Sequence, residues 1–425
     1  NKARELRLRA FALTPFGAAC DPLGHAGQAA LAADMLDEGA GGKSAAAFTE
    51  AIQALGATLS VHVDPESTRV HVAALKRTFR EALRLGADAL VRPGFEESEW
   101  KRVHRLHRLA LESDLDSPQV VATRLAAQAY FGAEHPHGRP VEGRLDEVDA
   151  VTLEDVRAFH RAIWQPSSTV LLAGGDISRE ELELELADSL GRWESPSAPF
   201  PRPMPIAAPA PNALRVILVD RPDAVQTVVG FLMPAPLWSA SERCGWELLT
   251  TILGGTFTSR LNQNLREKNG YSYGARARFQ AGPEVATLWA SSAVRTDVTG
   301  AALAEFLHEF RALRTGNVGA TEAEKARATW RRSKVEQVAR IGSLLDVAVD
   351  LWKKQSSLES LAEEQARILL LGEADLNALA SSYVPHERGV LILVGDESRV
   401  LPQLAELGLP APERLTTEGK PVPPR

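Results

Sequence analysis

Residues 152–176 read TLEDVRAFHRAIWQPSSTVLLAGGD, and residues 373–396 read EADLNALASSYVPHERGVLILVGD. Each stretch predicts a helix, a short turn and a buried strand that ends in Gly-Asp. A constant offset of 220 positions pairs Val156 with Leu376, Phe159 with Leu379, Val170 with Val390 and Gly175 with Gly395. An ordered match of this kind is typical of a duplicated domain and predicts two similar halves.

A second pair of matching segments supports the duplication. EESE at residues 96–99 and TEAE at residues 321–324 each open a long, charged helical pattern. Between the halves runs a proline-rich stretch, and proline fixes φ and lacks an N–H donor, so this stretch cannot join a helix or a central strand. We therefore predict a domain at residues 1–195, a proline-rich linker at residues 196–213 and a domain at residues 214–425.

Within each half, strand and helix patterns alternate. Residues 227–233, TVVGFLM, form an apolar run of strand length. Apolar residues at i, i+3, i+4 and i+7 predict an amphipathic helix that contains Leu303, Phe306, Leu307 and Phe310. The predicted fold class is α+β, with two homologous domains, each a mostly antiparallel sheet covered by helices on one face.

The composition is that of a globular protein and argues against several function classes. The chain has 425 residues, of which 44% are hydrophobic, and a formal net charge of −7. No apolar run reaches the roughly 18 residues of a membrane-spanning helix, and the acidic balance argues against a nucleic-acid or anionic-membrane surface. Cys20 and Cys244 are too few for a disulfide framework, although a single bridge between them stays open. The N-terminal residues show no secretory signal pattern.

Residues 27–39, GQAALAADMLDEG, say most about the chemistry. Ala30, Ala33 and Asp34 stand at positions i, i+3 and i+4, which share one helix face. The segment resembles the zinc-binding helix of the pitrilysin/insulinase family, which includes insulin-degrading enzyme and mitochondrial processing peptidase and has His-x-x-Glu-His there. Zinc needs three protein ligands and an open position, so these degenerate positions predict that the chain binds no metal. Family members also begin with a strand and turn that this sequence is expected to lack.

The second half carries a positive match to the same family. LGGTFTSRL at residues 253–261 and LREKNGYSY at residues 265–273 resemble its C-terminal signature. The resemblance implies that Arg266 and Tyr273 hold the substrate backbone and stabilise the oxyanion of the tetrahedral intermediate. Both side chains suit that role, because a guanidinium and a phenol with a pKa of about 10 both donate hydrogen bonds at neutral pH.

Two glycines of this signature are candidate substrate-binding residues. Gly254 and Gly255 form its Gly-Gly loop. Because glycine has no side chain, the backbone at these positions can come close to a bound peptide.

Other candidate ligands favour structural roles. His104 and His107 lie among arginines and lysines, which predicts a solvated helix face rather than a metal site. The third zinc ligand of the family aligns with Leu109 or Ala110, so that ligand is also expected to be lost. Residues 134–140, EHPHGRP, resemble a turn of the family, and their proline and glycine predict a structural role.

These features predict a non-catalytic subunit of a heterodimeric zinc metallopeptidase. The resemblance implies a homologous partner that carries His-x-x-Glu-His and zinc, no cofactor in this chain, and a peptide substrate that adds as a strand to a sheet edge. Arg266 and Tyr273 would act in trans, and the chain would be inactive alone. The alternative is a catalytically inert scaffold or assembly protein of the same fold, which has no need for these two residues.

The source and compartment are only weakly indicated. The Ala- and Arg-rich composition is typical of a bacterial protein of high GC content. The compartment stays open between periplasm and cytoplasm, and the sequence contains no motif for a self-sufficient active site of another kind.

Overall fold

The computed structural model describes residues 7–194, 206–209, 211–383 and 386–423. Within these ranges the strands are β1 (Arg7–Thr14), β2 (Thr58–Val63), β3 (Thr68–Leu75), β4 (Val170–Gly174), β5 (Leu214–Asp220), β6 (Gln226–Pro234), β7 (Ser272–Ala281), β8 (Ala286–Arg295), β9 (Gly389–Gly395) and β10 (Glu413–Leu415). The helices are α1 (Gln28–Asp34), α2 (Ala45–Ala54), α3 (Phe79–Val91), α4 (Glu97–Asp114), α5 (Pro118–Phe131), α6 (Leu145–Val148), α7 (Leu153–Ile163), α8 (Arg179–Leu190), α9 (Arg243–Thr250), α10 (Arg260–Asn262), α11 (Thr299–Arg314), α12 (Ala320–Val338), α13 (Ile341–Lys353), α14 (Leu358–Leu370), α15 (Glu373–Tyr383) and α16 (Glu397–Leu404).

The chain forms two compact units that exchange helices. The first unit comprises Asn1–Ser113, Arg139–Met204 and Gln337–Lys353, and the second comprises Asp114–Gly138, Pro205–Glu336 and Lys354–Arg425. Helix α5, from the first half of the sequence, thus belongs to the second unit, and α13, from the second half, belongs to the first. The linker predicted at residues 196–213 lies largely outside the described residues and stays a prediction.

The first unit is built on a four-stranded antiparallel sheet of order β2-β3-β1-β4. Apolar residues alternate along β1, because successive side chains of a strand point to opposite faces. Leu8 and Ala10 pack towards α3, whereas Phe11 and Leu13 pack against Leu345 and other residues of α13.

The second unit is built on a six-stranded sheet of order β10-β5-β9-β6-β8-β7. Strands β10, β5 and β9 run parallel to one another, and the remaining pairs are antiparallel. One face packs on α11, where the rings of Phe231, Phe306 and Phe310 lie 5.2–6.1 Å apart. The other face packs on α5 through Val121 and Leu125. The predicted α+β class, two domains with antiparallel strands and packed helices, is confirmed. The prediction that helices cover one face of each sheet is corrected, because α3 and α13 pack on opposite faces of the first sheet, and α11 and α5 pack on opposite faces of the second.

The duplicated segments have the predicted secondary structure. Helix α7 and strand β4 correspond to α15 and β9, and the predicted strand and amphipathic helix are β6 and α11. Helix α7 begins with a capping box, in which Thr152 and Asp155 bond to each other's backbone N–H groups. Among the helices in the described ranges, none is long and apolar enough to cross a membrane.

Candidate functional site

The first turn of helix α1 is hydrogen-bonded to a buried carboxylate, and the alanines of this helix are buried. The Asp21 carboxylate accepts hydrogen bonds from the Gly27 and Ala29 N–H groups, both at 2.9 Å. Burial raises the pKa of the Asp21 carboxyl to about 7, although both N–H donors favour the charged form. Ala30 and Ala33 are buried. The helix face is therefore occupied by protein packing at these two positions.

The third position of this face forms a polar contact with α4. The Nδ1 atom of His107 lies 2.8 Å from the Asp34 carboxylate, and its Nε2 atom lies 2.8 Å from the Glu142 carbonyl oxygen. Burial opposes protonation of His107, but these two acceptors outweigh it and raise the pKa of the imidazole. His104 bonds in turn to the Val148 carbonyl oxygen at 3.0 Å. The prediction of a solvated helix face is thus wrong, because the residues around 142–148 supply acceptors for both rings.

Zinc does not fit these residues. Ala30 and Ala33 offer no donor atom, the Asp34 carboxylate is bonded to His107, and Leu109 and Ala110 are exposed and apolar. Across the described ranges, no three His, Cys, Asp or Glu side chains lie close enough together to hold a metal ion. The described residues around α1 therefore offer no zinc site.

Arg266 lies in a π-helical turn, Gln263–Lys268. Turns of this kind are frequent at functional positions. The guanidinium carbon is 4.0 Å from the centre of the Phe257 ring, and Nε is 3.5 Å from the Glu267 carboxylate. Phe257 is itself 59% exposed. The stacked ring restricts the orientation of a cation that stays accessible to solvent.

Tyr273 is the second residue of β7, which forms an edge of the sheet. Ser272 pairs with Val294 and Ala275 with Ser292, so β7 has one extra residue over this interval. A bulge of this type changes the direction of a side chain. The Tyr273 side chain is 90% exposed, which leaves its phenol available to a ligand.

A closed turn joins these two residues. The Tyr271 N–H donates to the Leu265 carbonyl at 2.7 Å, and the Gly270 N–H donates to the Arg266 carbonyl at 3.1 Å. Gly270 has a φ of 63°, a conformation that favours glycine. Arg266 therefore lies in a hydrogen-bonded turn of the second unit that ends at Tyr271, two residues before Tyr273.

The glycine pair lies in a second π-helical turn, Thr251–Gly255. A Cβ atom at Gly254 would lie 2.4 Å from the Ala277 nitrogen in β7, whereas at Gly255 the nearest atom would be the Thr250 carbonyl oxygen at 3.3 Å. Close packing against β7 thus explains the glycine at position 254. Substrate binding by the two glycines stays a prediction.

Asn262 ties this region to the sheet. Its Nδ2 donates to the Ala275 carbonyl at 2.7 Å and to the Thr256 carbonyl at 3.0 Å, and its Oδ1 accepts from the Ala275 N–H at 2.9 Å. The side chain is buried. It therefore pairs with the backbone of Ala275, the residue at which the regular register of β7 with β8 resumes after the bulge.

Family models match both halves of the chain. Residues 14–143 match the model described as insulinase (peptidase family M16), and residues 150–329 match the model described as peptidase M16 inactive domain. The chain belongs to peptidase family M16. It lacks His-x-x-Glu-His at residues 30–34 and has Arg266 and Tyr273 in its C-terminal motif.

Several curated M16 relatives are zinc proteases by name. An uncharacterized zinc protease of Mycobacterium leprae is 27% identical over 255 residues, which are 58% of this chain and 55% of that protein. The zinc protease PqqE of Helicobacter pylori is 21% identical over 346 residues, 79% of this chain and 76% of that protein. The chain spans about half the length of the first curated relatives that it matches.

Solved structures share the fold. A peptidase M16 inactive domain from Pseudomonas fluorescens superimposes with a TM-score of 0.82 at 20% identity, over 92% of this chain and 93% of that one. A protease from Helicobacter pylori superimposes with a TM-score of 0.83 at 17% identity, over 91% and 94%. At these identities the likeness concerns the M16 fold alone.

Three contributors to the site were missed by sequence reasoning. His107 was assigned to solvent, and nothing predicted the stack of Phe257 or the bonds of Asn262. The spacing of His107 from Asp34 carries no local signal, whereas Phe257 and Asn262 lie inside the motif at residues 253–273 that predicts the site. Cys20 and Cys244 are free thiols, so no bridge joins them.

Proposed function

We propose that this M16 chain is the non-catalytic subunit of a heterodimeric zinc metallopeptidase and donates Arg266 and Tyr273 to an active site completed by a homologous partner. The observation that carries the proposal is a contrast in accessibility. The face with the degenerate zinc positions is filled by buried alanines and the His107 contact, whereas Tyr273 and the Arg266 stack stay exposed. A pure scaffold has no need for an exposed phenol on a bulge.

The two side chains suit one chemical task. Attack on a peptide carbonyl places negative charge on its oxygen, and hydrogen-bond donors held near that oxygen lower the barrier. A guanidinium donates from several N–H groups and stays charged, and a phenol donates one further hydrogen bond. The partner would supply the metal and the activated water. One relative, of Schizosaccharomyces pombe, is named probable mitochondrial-processing peptidase subunit beta and is 29% identical over 144 residues, 34% of this chain and 31% of that protein.

The test is reconstitution with the nearest His-x-x-Glu-His homologue of the same genome. Peptide hydrolysis is measured for each chain alone and for the mixture, and complex formation is followed by sedimentation. We expect this chain to be inactive alone and to activate the homologue. Arg266→Ala or Tyr273→Phe should preserve the complex and lower kcat by about 10²–10³, the usual effect of losing one oxyanion donor.

Arg276→Ala is the matched control, because Arg276 is an exposed arginine of the same strand, β7. It should leave kcat unchanged. A complex whose kcat is equally insensitive to all three substitutions contradicts the proposed roles and favours the scaffold alternative. If no complex forms and mixing changes nothing, the subunit proposal itself is wrong.

A further inference from the structure

Asn264 is a buried amide inside the turn that carries Arg266. It lies in the π-helical turn Gln263–Lys268 and is 7% exposed, whereas Arg266, two positions later, is partly exposed. A buried amide must satisfy its donors and its acceptor within the protein, because unpaired polar groups cost free energy. The partners of Asn264 therefore decide where this turn is held.

The amide nitrogen of Asn264 is bonded to helix α11. Nδ2 donates to the Glu305 carboxylate at 2.6 Å and to the Glu309 carboxylate at 2.9 Å. The two glutamates are spaced i, i+4, which places them on one face of the helix. Two carboxylates at such close range repel each other, and the shared amide offsets that repulsion with two charge-assisted hydrogen bonds. The turn is thus attached to α11 through this side chain.

The oxygen atoms of Asn264 close the turn around Arg266. Oδ1 accepts from Asn269 Nδ2 at 2.6 Å, and the backbone carbonyl oxygen accepts from both the N–H and the Nδ2 of Asn269 at 3.1 Å. Residues 264–269 therefore form a closed loop, and Arg266 lies inside it. A rotated amide would place its oxygen against two carboxylates, so only one orientation of the Asn264 side chain fits.

Asn262 and Asn264 support the two proposed donors separately. Asn262 bonds to the backbone of Ala275 in β7, two positions after Tyr273. Asn264 instead bonds to α11. Loss of the Asn264 side chain should therefore disturb Arg266 and leave the contacts of β7 intact. This separation distinguishes a positioning role from a general loss of structure.

We propose that Asn264 is a positioning residue for Arg266 and keeps its guanidinium stacked on Phe257. Glu305 and Glu309 hold the Asn264 amide in turn. The guanidinium carbon lies 4.0 Å from the centre of the Phe257 ring, so a shift of the turn by about an ångström would disrupt this stack. The positioning is inferred from these contacts alone, whereas its effect on turnover rests on the proposed function.

The direct test measures the motion of the Arg266 side chain in the full chain without a partner. The Nε–H resonance of Arg266 is identified by its loss in Arg266→Ala, and its order parameter is obtained from ¹⁵N relaxation. We expect a restricted side chain in the unsubstituted chain. In Asn264→Ala we expect a flexible one, with an order parameter below about 0.6.

Asn377→Ala is the matched control. The Asn377 side chain also holds backbone of the second unit, since its Nδ2 donates to the Val318 carbonyl at 2.9 Å and its Oδ1 accepts from the Val318 N–H at 2.8 Å. Its removal should lower stability in a similar way and leave the order parameter of Arg266 unchanged.

Two milder variants complete the test. Glu305→Gln keeps an oxygen that can accept from Asn264, so the order parameter of Arg266 should stay high. Asn269→Ala removes the side chain that closes the turn and should lower the order parameter. It tests the same turn if Asn264→Ala does not fold, and thermal melts show which variants are folded.

Turnover of the reconstituted complex gives a second measurement. Asn264→Ala should lower kcat by up to about 10²-fold, the effect of misplacing a reacting group by an ångström, with little change in KM. In the Arg266→Ala background the same substitution should cause no further loss, because it acts through Arg266.

Two results would overturn the proposal. One is an order parameter of Arg266 that neither Asn264→Ala nor Asn269→Ala lowers, and the other is an additive loss of kcat in the double variant. If the Arg266 side chain becomes flexible but kcat stays the same, the positioning is supported, and the catalytic role proposed for Arg266 is the part that fails.

Discussion

The region around α1 and the region around β7 differ in the accessibility of their side chains. In the first, the positions at which the family binds zinc are buried alanines, and Asp34 is engaged by His107. In the second, buried contacts by Gly254 and Asn262 support side chains that remain exposed, above all Tyr273. The difference teaches that Ala30 and Ala33 take part in internal packing, whereas the region around β7 holds accessible side chains on a hydrogen-bonded base. Substitutions of the buried residues should therefore lower the stability of the fold, whereas substitutions of the exposed residues should affect function.

The strongest test of that hydrogen-bonded base is Asn262→Ala. It leaves the buried N–H and C=O of Ala275 without their partner, and each such group costs about 1–3 kcal/mol. We expect the free energy of unfolding to fall by roughly 2–4 kcal/mol in urea titrations. Gln263→Ala, an exposed amide one position away, is the control. Equal losses for the two variants would mean that the base does not depend on this side chain.

The next effect is expected from Gly254→Ala. Its new Cβ atom would lie 2.4 Å from the Ala277 nitrogen, so the π-helical turn must shift away from β7. Overpacking of this kind costs about 1–3 kcal/mol. Gly255→Ala, with its nearest contact at 3.3 Å, should cost less. The measurement is the free energy of unfolding of both variants in denaturant. If Gly255→Ala were the less stable variant, the packing explanation would be contradicted.

A smaller, pH-dependent effect is expected from Asp34→Ala. The folded-state pKa of His107 is raised, so its stabilising contribution is complete below the unfolded value of about 6.5 and is lost as pH rises through the folded value. The variant should lose about 0.5–1 kcal/mol at pH 6, since Asp34 is half exposed, and less at pH 8.5.

The control for this comparison is Asp149→Ala, whose partner Arg108 stays charged at both pH values. Its effect on the free energy of unfolding should not change between pH 6 and pH 8.5. If Asp34→Ala also showed the same loss at both pH values, the contact would not involve a protonated imidazole.

The smallest effect on stability is expected at Tyr273 and Arg266. Tyr273→Phe removes only an exposed hydroxyl, and Arg266→Ala removes a partly exposed stack, so each should change the free energy of unfolding by within about 0.5 kcal/mol. Calorimetric melts measure this. A large destabilisation by either substitution would show that the residue has a structural role and would contradict the contrast between the two regions.

Sequence patterns predicted the repeated elements well, because periodicity and capping are local. The helix–strand pairs α7–β4 and α15–β9, the strand β6 and the helix α11 occur where expected. The position of the candidate site followed from the 253–273 motif, and its accessible side chains are those of Arg266 and Tyr273.

Features that depend on distant contacts could not be predicted. The bond of His107 to Asp34 joins residues 73 positions apart, which only folding brings together. The two π-helical turns were also missed, because an extra residue per turn leaves no clear periodic signal over five or six residues.

The exchange of α5 and α13 has a consequence for synthesis on the ribosome. The apolar face of α5, with Val121 and Leu125, covers a sheet whose central strand ends only at Gly395, so this face stays uncovered until residue 395 has been translated. The Phe11 face of the first sheet likewise waits for α13. Folding of each sheet is thus postponed until these distant segments have been synthesised, and nascent chains would expose two apolar surfaces to chaperones and proteases. Cutting the gene at the proline-rich segment would make that exposure permanent, since each half would lack the helix that the other half encodes.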